Sequence, residues 1–387
     1  MTKARNLLVV TTSRAEYGIL KRLMHAINVS SAFNLQIIVS GSHLSEFHGN
    51  TFQEIEADNF NIDSRVELKL ENDQPQDIAH SFSLGIQGFS EELSVLKPDL
   101  MIILGDRYEI LSAAIAAMFL KIPIAHLHGG ETTEGAIDES IRHAVTKLSH
   151  FHFAANINYR HRILQLGENP DNVFLVGGLG VDAIYHTKLL SKTSLEKNLG
   201  FKFKKKNLLV TFHPQTLAQD SGVNQLNNLL SALSLLENTQ LIFTMPNADP
   251  NNKAIHKQIQ NFVMNNKNSI SFDSLGQLKY FSCVSNVDAV VGNSSSGIAE
   301  VPSFKKGTID IGDRQKGRIK AQSVISCSSN TRDISKAIQK IYTKKFQDNL
   351  IHTVNPYGDG GAVDKIMNIL PNISLEEPLQ KPFFDIK

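Results

Sequence analysis

The run Leu100-Met101-Ile102-Ile103-Leu104 constrains this chain more than any other stretch. It is apolar at every position, too short for a typical helix, preceded by Pro98-Asp99 and stopped by Gly105. A strand with one wet face would alternate apolar and polar residues. An unbroken apolar strand is buried on both faces, as in a parallel sheet with helices on either side. Asp106 and Arg107 then leave its carboxyl end, where open α/β sheets place their ligands. The Ala-rich segment from Ile110 to Leu120 has the composition of a helix packed on the sheet. Ile122-Pro123-Ile124-Ala125 predicts a second short strand, and His126-Leu127-His128-Gly129-Gly130-Glu131 leaves its carboxyl end. Two neighbouring strand ends would bring Asp106, Arg107, His126, His128 and Glu131 together.

The same alternation runs along the chain. Leu7 to Thr11, the loop Thr12-Ser13-Arg14-Ala15-Glu16-Tyr17-Gly18 and an amphipathic helix through Ile27 open a βαβ unit, with the loop where helix N–H groups would meet a phosphate. No GxGxxG follows, so the dinucleotide fingerprint is absent. Leu35 to Val39 predicts a strand ending at Ser40-Gly41-Ser42-His43, which makes His43 a candidate for positioning substrate. Val66, Leu68 and Leu70 alternate like an edge strand, and Asp77 to Leu96 reads as a helix. Asp138 to Leu148 is helical, with Arg142 one turn after Asp138. Ser149 to Ala154 and Val173 to Val176 are strands, with a helix from Arg160 to Leu166 between them. Gly177 to Asp182 breaks the pattern, and the polar region through Lys206 reads as a connector with solvated lysines.

From Asn207 the alternation restarts. Leu208 to Phe212 ends at His213-Pro214, Gln240 to Met245 at Pro246-Asn247, and Asp288 to Val291 at Gly292-Asn293-Ser294-Ser295-Ser296-Gly297. Thr308 to Ile311 ends at Gly312-Asp313-Arg314, and Val324-Ile325 completes the sheet. The expectation is two similar α/β halves, 1–177 and 178–365, with strand ends facing across a cleft, and a terminal segment 366–387.

Composition narrows the class. With 387 residues there is room for two domains of ordinary size, and a formal charge of +1 offers no basic field for nucleic acid. Two cysteines, Cys283 and Cys327, imply no disulfide framework and fit a reducing compartment. No signal-peptide pattern precedes Asn6, and the longest apolar run falls short of a membrane span. The expectation is a soluble cytoplasmic protein without membrane insertion.

Asn293 to Gly297 follows a buried strand and precedes a helix start, so small residues, hydroxyls and N–H groups at Ser294, Ser295, Ser296 and Gly297 suit a diphosphate. Glu300, one turn on, could accept both hydroxyls of a ribose, and Arg314 supplies a countercharge. In the first half, Asp106 and Asp138 are the paired carboxylates that proton transfer requires; Glu131 and Glu139 are further candidates. Asp106 beside Arg107 could equally be a structural ion pair. His126 and His128 point to opposite faces of an extended stretch, which argues against one shared metal and makes His126 structural and His128 the site candidate. A metallohydrolase built on Asp106, His128 and Glu131 is the alternative. His213 leaves the first strand of the second half, and Arg14 could serve similarly from the first loop.

Thr12 to Gly18, Gly105-Asp106-Arg107-Tyr108-Glu109, His128-Gly129-Gly130-Glu131, Asp138 to His143, Phe212-His213-Pro214, Gly292 to Gly297 and Gly312 to Arg318 occur in this order. Together they resemble the hydrolysing UDP-N-acetylglucosamine 2-epimerases, most nearly the NeuC type of bacterial sialic-acid synthesis. The resemblance implies a GT-B fold of two Rossmann-like domains, no cofactor, and UDP-N-acetylglucosamine and UDP as partners in a homo-oligomer. It also implies elimination of UDP through a glycal and then hydration to N-acetylmannosamine. The family's catalytic carboxylates fall on Asp106 and Asp138 and its functional histidine on His213. Its nucleotide contacts fall on Arg14, Arg107, Asn247, Ser294, Ser295, Glu300 and Arg314, and a site arginine on Arg142. Many members carry Glu where this chain has His128, so either His128 moves a proton, the favoured reading, or Glu131 supplies the carboxylate. The same chemistry on a nucleotide-linked diacetamido-trideoxyhexose, as in legionaminate synthesis, is one alternative. A GT-B glycosyltransferase and a non-catalytic nucleotide-sugar sensor are the others.

Overall fold

The structure is a computed structural model that describes residues 4–386 apart from 71–73, 216, 218–221, 247–251 and 376–379. Two parallel sheets carry it. The first holds β1 (Arg5–Thr11), β2 (Phe33–Ser40), β3 (Ser64–Val66), β4 (Leu100–Leu104), β5 (Ile124–Leu127), β6 (Phe151–Ala154) and β7 (Val173–Leu175), in the order β3-β2-β1-β4-β5-β6-β7. The second holds β8 (Lys206–Thr211), β9 (Thr239–Thr244), β10 (Ser269–Phe272), β11 (Ala289–Gly292), β12 (Gly307–Ile311) and β13 (Val324–Cys327), in the order β10-β9-β8-β11-β12-β13. Strand order reverses between β1 and β4 in one sheet and between β8 and β11 in the other. At such a switch point the carboxyl ends of the strands open a crevice.

The apolar run that predicted β4 is buried at all five positions. Its alternate residues feed two cores. Leu100, Ile102 and Leu104 pack with Leu20, Leu23, Met24 and Ile27 of the helix Arg14–Asn28. Met101 and Ile103 pack on the other face with Ile110, Ala113, Ala114 and Ala117 of the helix Tyr108–Phe119. A strand sandwiched this way has no position for a polar side chain, which is why its sequence is so plain.

The described chain falls into two compact units. One comprises Met1–Glu131, Asp138–Ala183 and Tyr357–Lys387, and the other Thr132–Ile137 with Ile184–Pro356. These divisions lie six residues after the expected 177 and nine before the expected 365, and packing explains both. A helix, Leu179–His186, forms where the sequence suggested a break; its Leu179 joins the core of the first sheet. Asp182 of that helix is buried against Arg22 at 2.6 Å, and Arg22 also reaches Asp364 at 3.1 Å. The helix Ala362–Ile369 adds Ala362, Val363 and Ile366 to the same core. The expected connector contains a helix as well, Lys192–Leu199, capped by Ser191 and closed by Gly200 at φ +71°. β3 stops at Val66, although Leu68 beyond it is buried too. No helix among the described residues is long and apolar enough to cross a membrane.

One buried acid lies at the start of the first crossover. Ser13 caps the helix Arg14–Asn28 by accepting the Glu16 N–H, and the Glu16 carboxylate accepts the Thr12 N–H at 2.8 Å. This is a capping box displaced by one residue. Burial pushes Glu16 up to about 7, Arg107 opposes that, and Glu109 adds to it. Because the folded value lies above the ordinary one, the stability tied to the protonated group is complete below about pH 4.5 and lost as pH rises through about 7, on the order of 3 kcal/mol in all. Glu16→Gln is therefore expected to flatten the pH dependence of urea unfolding across that window and to be the more stable protein above it. An unchanged slope in the variant would contradict this.

Candidate active site

In the first unit the carboxyl ends of β4 and β5 and the helix Asp138–Leu148 supply the charged groups. β4 leaves through Gly105, at φ +82°, into Asp106. β5 leaves into His128, whose φ of +65° is uncommon for a residue with a side chain. At Gly130, also left-handed at φ +73°, an added Cβ would come within 2.3 Å of the Tyr159 carbonyl oxygen. Only glycine lets the backbone pass there.

Arg142 ties these ends together. Its side chain is 1% exposed. Nη1 donates to the Glu131 carbonyl at 2.9 Å and to Glu139 Oε2 at 2.8 Å, and Nη2 pairs with the Asp106 carboxylate. Glu139 also meets His143 Nε2 at 3.2 Å. Asp138 stands in the first turn of the same helix, one turn before Arg142. Asp106 and Glu139 thus meet the buried Arg142 fork by their carboxylates, for which a guanidinium is well shaped, and Glu131 meets it by its backbone carbonyl. Asp106 finds its partner 36 residues along the chain, while Arg107 donates Nε and Nη2 to Glu109 at 3.2 and 3.1 Å.

The two histidines after β4 have different work. His126 is fully buried; burial pushes it down to about 3, so it is neutral. Its Nε2–H donates to the Gly105 carbonyl at 2.7 Å, and its Nδ1 accepts the Thr146 hydroxyl at 3.2 Å. It is structural and fixes the peptide before Asp106. His128 Nε2 accepts the Leu179 N–H at 3.2 Å, and its Nδ1 stands 2.9 Å from Glu131 Oε1. Among the described residues no group of three or more His, Cys, Asp or Glu could hold a metal ion.

His43 lies inside the first unit. It is fully buried, bonded through Nε2 to the Thr11 hydroxyl at 3.0 Å and through Nδ1 to the Thr51 hydroxyl at 2.8 Å. Burial and the Arg14 charge push it down to about 3. It braces the end of β1 from within and presents no free nitrogen to a substrate. Arg14 itself begins the helix that follows β1.

In the second unit Asn293 plays the tying role. β8 and β11 approach so closely that a Cβ on Gly292 would sit 1.9 Å from the Thr211 carbonyl oxygen. Asn293, 1% exposed, accepts the His213 N–H at 2.7 Å and donates to the His213 carbonyl at 2.9 Å. Its own carbonyl accepts Arg314 Nη1 at 3.2 Å and Gln315 Nε2 at 2.9 Å. The ends of β8, β11 and β12 are joined in this way. Arg314 Nε is buried with no hydrogen-bond partner among the described residues.

Ser294 and Ser295 lead into the helix Ser296–Ala299, which is a single turn of four residues. A single turn contributes little macrodipole, so this stretch offers hydroxyls and local N–H groups rather than a helix end. Tyr280 donates to the Ser296 hydroxyl at 2.8 Å, and Ser296 donates to Glu300 Oε2. Burial pushes the Tyr280 hydroxyl up, so it keeps its proton and orients the pair. Asn247 lies outside the described residues. The sequence singled out neither Tyr280 nor the tie made by Asn293, because both act through partners distant in the chain.

Comparison with known proteins adds the following. A family profile described as UDP-N-acetylglucosamine 2-epimerase matches residues 25–371. A Campylobacter jejuni protein named GDP/UDP-N,N'-diacetylbacillosamine 2-epimerase (hydrolyzing) is 42% identical over 99% of this chain and 99% of its own. An Escherichia coli protein named polysialic acid biosynthesis protein P7 is 38% identical over 99% of this chain and 98% of its own. A crystal structure of UDP-GlcNAc 2-epimerase from Neisseria meningitidis bound to UDP-GlcNAc superimposes with a TM-score of 0.82, covering 95% of this chain and 100% of that one, at 18% identity. That likeness places the fold among the GT-B-like α/β architectures with two sheets.

Proposed function

The chain belongs to the UDP-N-acetylglucosamine 2-epimerase family, and from that premise we propose that it is a hydrolysing 2-epimerase of nucleotide-linked diacetylbacillosamine, a diacetamido-trideoxyhexose. The reading of the chemistry is carried by one observation. Arg142, almost without exposure, holds the Asp106 carboxylate, Glu139 and the Glu131 carbonyl at adjoining strand ends. The choice of sugar is supported by the relative with 42% identity over nearly the whole chain. UDP-N-acetylglucosamine, the substrate expected from the sequence, is the second reading, supported by the family description. A role in sialic-acid synthesis is supported by the relative with 38% identity.

In this reaction a carboxylate takes the proton from carbon 2 of the sugar. The bond from carbon 1 to the diphosphate oxygen breaks, the nucleoside diphosphate leaves, and a glycal remains. Water then adds across the double bond: its hydroxyl goes to carbon 1 and a proton returns to carbon 2 on the opposite face. Asp106 and Asp138 are the proton-moving pair, with Arg142 setting the direction of Asp106. Glu131 supplies the third carboxylate, with His128 Nδ1 2.9 Å from its Oε1. This reverses the order of preference taken from the sequence, since the His128 ring is committed through Nε2 to the Leu179 N–H. In the second unit His213, Ser294, Ser295, Ser296, Gly297, Glu300 and Arg314 serve the nucleotide.

The test is to supply each nucleotide sugar without any acceptor. Release of free nucleoside diphosphate and of the 2-epimeric free sugar is expected. A kcat/KM about tenfold or more in favour of the diacetamido sugar is also expected, because a site built to bond a second acetamido group rejects a sugar lacking it. A preference for UDP-N-acetylglucosamine supports the second reading. Turnover only after an acceptor is added contradicts both and favours a glycosyltransferase.

A further inference from the structure

The helix Asp138–Leu148 carries a second charged cluster at its other end. Glu168, 2% exposed, accepts His152 Nε2–H at 2.9 Å, Lys147 Nζ at 2.6 Å and Lys381 Nζ at 2.8 Å. Lys381 comes from the last residues of the chain. Its ammonium also donates to the Thr146 carbonyl at 3.2 Å and the Lys147 carbonyl at 2.6 Å. Those carbonyls belong to the last turn of the helix, where backbone acceptors lack intrahelical donors and a cation is favourable. Neighbouring contacts seat the segment. The Phe384 N–H donates to the Gly167 carbonyl at 2.9 Å. The Phe383 ring lies on Gly167 so closely that an added Cβ would come within 2.3 Å of it, and Lys147 Nζ stands 5.1 Å from that ring's centre.

We infer that Lys381 is a positioning residue for the reaction, pinning the C-terminal turn of the helix whose first turns carry Asp138, Glu139 and Arg142. The inference rests on the proposed reading of those residues as the proton-moving site. Two paths lead there from the lysine. Arg142 lies one turn before Thr146 on the same helix. Thr146 also donates its hydroxyl to His126, which donates to the Gly105 carbonyl next to Asp106. Both members of the Asp106–Arg142 pair are therefore referenced to the turn that Lys381 holds. Small displacements at such a pair have large effects on rate.

The groups facing the ammonium are Glu168, Lys147, His150 and His152. Burial pushes Lys381 down to about 8, against the pull of Glu168. Burial would raise Glu168, but His152, Lys147 and Lys381 hold it at about 2. Burial takes His150 to about 4 and His152 downward as well. Those carboxylate and imidazole groups keep one charge state from neutral pH upward, so the latch opens with the lysine's own proton.

The test compares Lys381→Met and Lys381→Arg in the full chain. It reads kcat, KM, the pH profile of kcat, and hydrogen–deuterium exchange across residues 138–148. Lys381→Met is expected to lower kcat roughly tenfold while KM stays within about twofold. Exchange in that helix should speed up about tenfold, with Thr331–Ile341 of the second unit unchanged as the sign of an intact fold. Lys381→Arg should recover to within about threefold and move the alkaline limb upward from about pH 8, since a guanidinium keeps its proton there. Wild-type kcat, exchange and alkaline limb in Lys381→Met would overturn the inference. If the wild-type chain releases no product, the proposed function fails separately, and the exchange comparison still decides whether Lys381 pins the helix.

Discussion

Arg142→Met is expected to lower kcat by about a thousandfold and the free energy of unfolding by about 3 kcal/mol. The guanidinium pairs with both Asp106 and Glu139, and it also satisfies the Glu131 carbonyl. Methionine fills much of the same space but leaves two carboxylates facing one another and a buried acceptor without its donor. The side chains of Asp106 and Glu139 are 24% and 23% exposed, so water relieves part of the cost and keeps it near the lower end for a broken buried pair. Arg142→Lys keeps the charge without the fork and should fall between. Urea unfolding and steady-state kinetics check both numbers. A variant with wild-type stability and rate would show that the guanidinium organises nothing.

Glu131→Gln is expected to cost kcat between about 10² and 10⁴, the range for losing a proton-transferring group, with little change in stability. The amide keeps the shape of the side chain and an oxygen beside His128 Nδ1, while the carboxylate chemistry is lost. His128→Ala should cost only about tenfold, the effect of letting Glu131 wander rather than of removing it. The asymmetry follows from the contacts: the Leu179 N–H claims His128 Nε2, and Nδ1 stands beside Glu131 Oε1 at 2.9 Å. Steady-state kcat for the two variants decides the order. If His128→Ala loses more than Glu131→Gln, the histidine is the proton carrier and Glu131 its support.

The sequence revealed most where burial was complete. β4 and the strands around it read directly because a strand covered on both faces must be apolar at every position, whatever surrounds it. The helix Leu179–His186 escaped because Gly178 and Gly180 flank its first residue, and glycine is a poor guide once tertiary packing of Leu179 and Val181 outweighs propensity. The helix Lys192–Leu199 escaped because its polar surface shows little apolar stripe, though Ser191 and Gly200 mark its ends.

At the site, spacing alone put Arg142 one turn from Asp138. It could not say that the guanidinium crosses to Asp106 or that His128 is answered by Leu179, 51 residues on. His43 looked available because it ends a strand, yet hydroxyls from Thr11 and Thr51 enclose it. Glu16 had a readable signal, Ser13 followed three residues later by a glutamate, but only the fold shows Arg107 and Glu109 beside it.

In the proposed reaction Asp106, held by Arg142, and Asp138 exchange the hydrogen at carbon 2. Its most direct test is product analysis by NMR after turnover in heavy water, with the nucleotide sugar fully protonated at the start. Deuterium is expected at carbon 2 of the released 2-epimer, one per turnover, and none of that product from Asp106→Asn. A released sugar that keeps its original hydrogen at carbon 2 would contradict it.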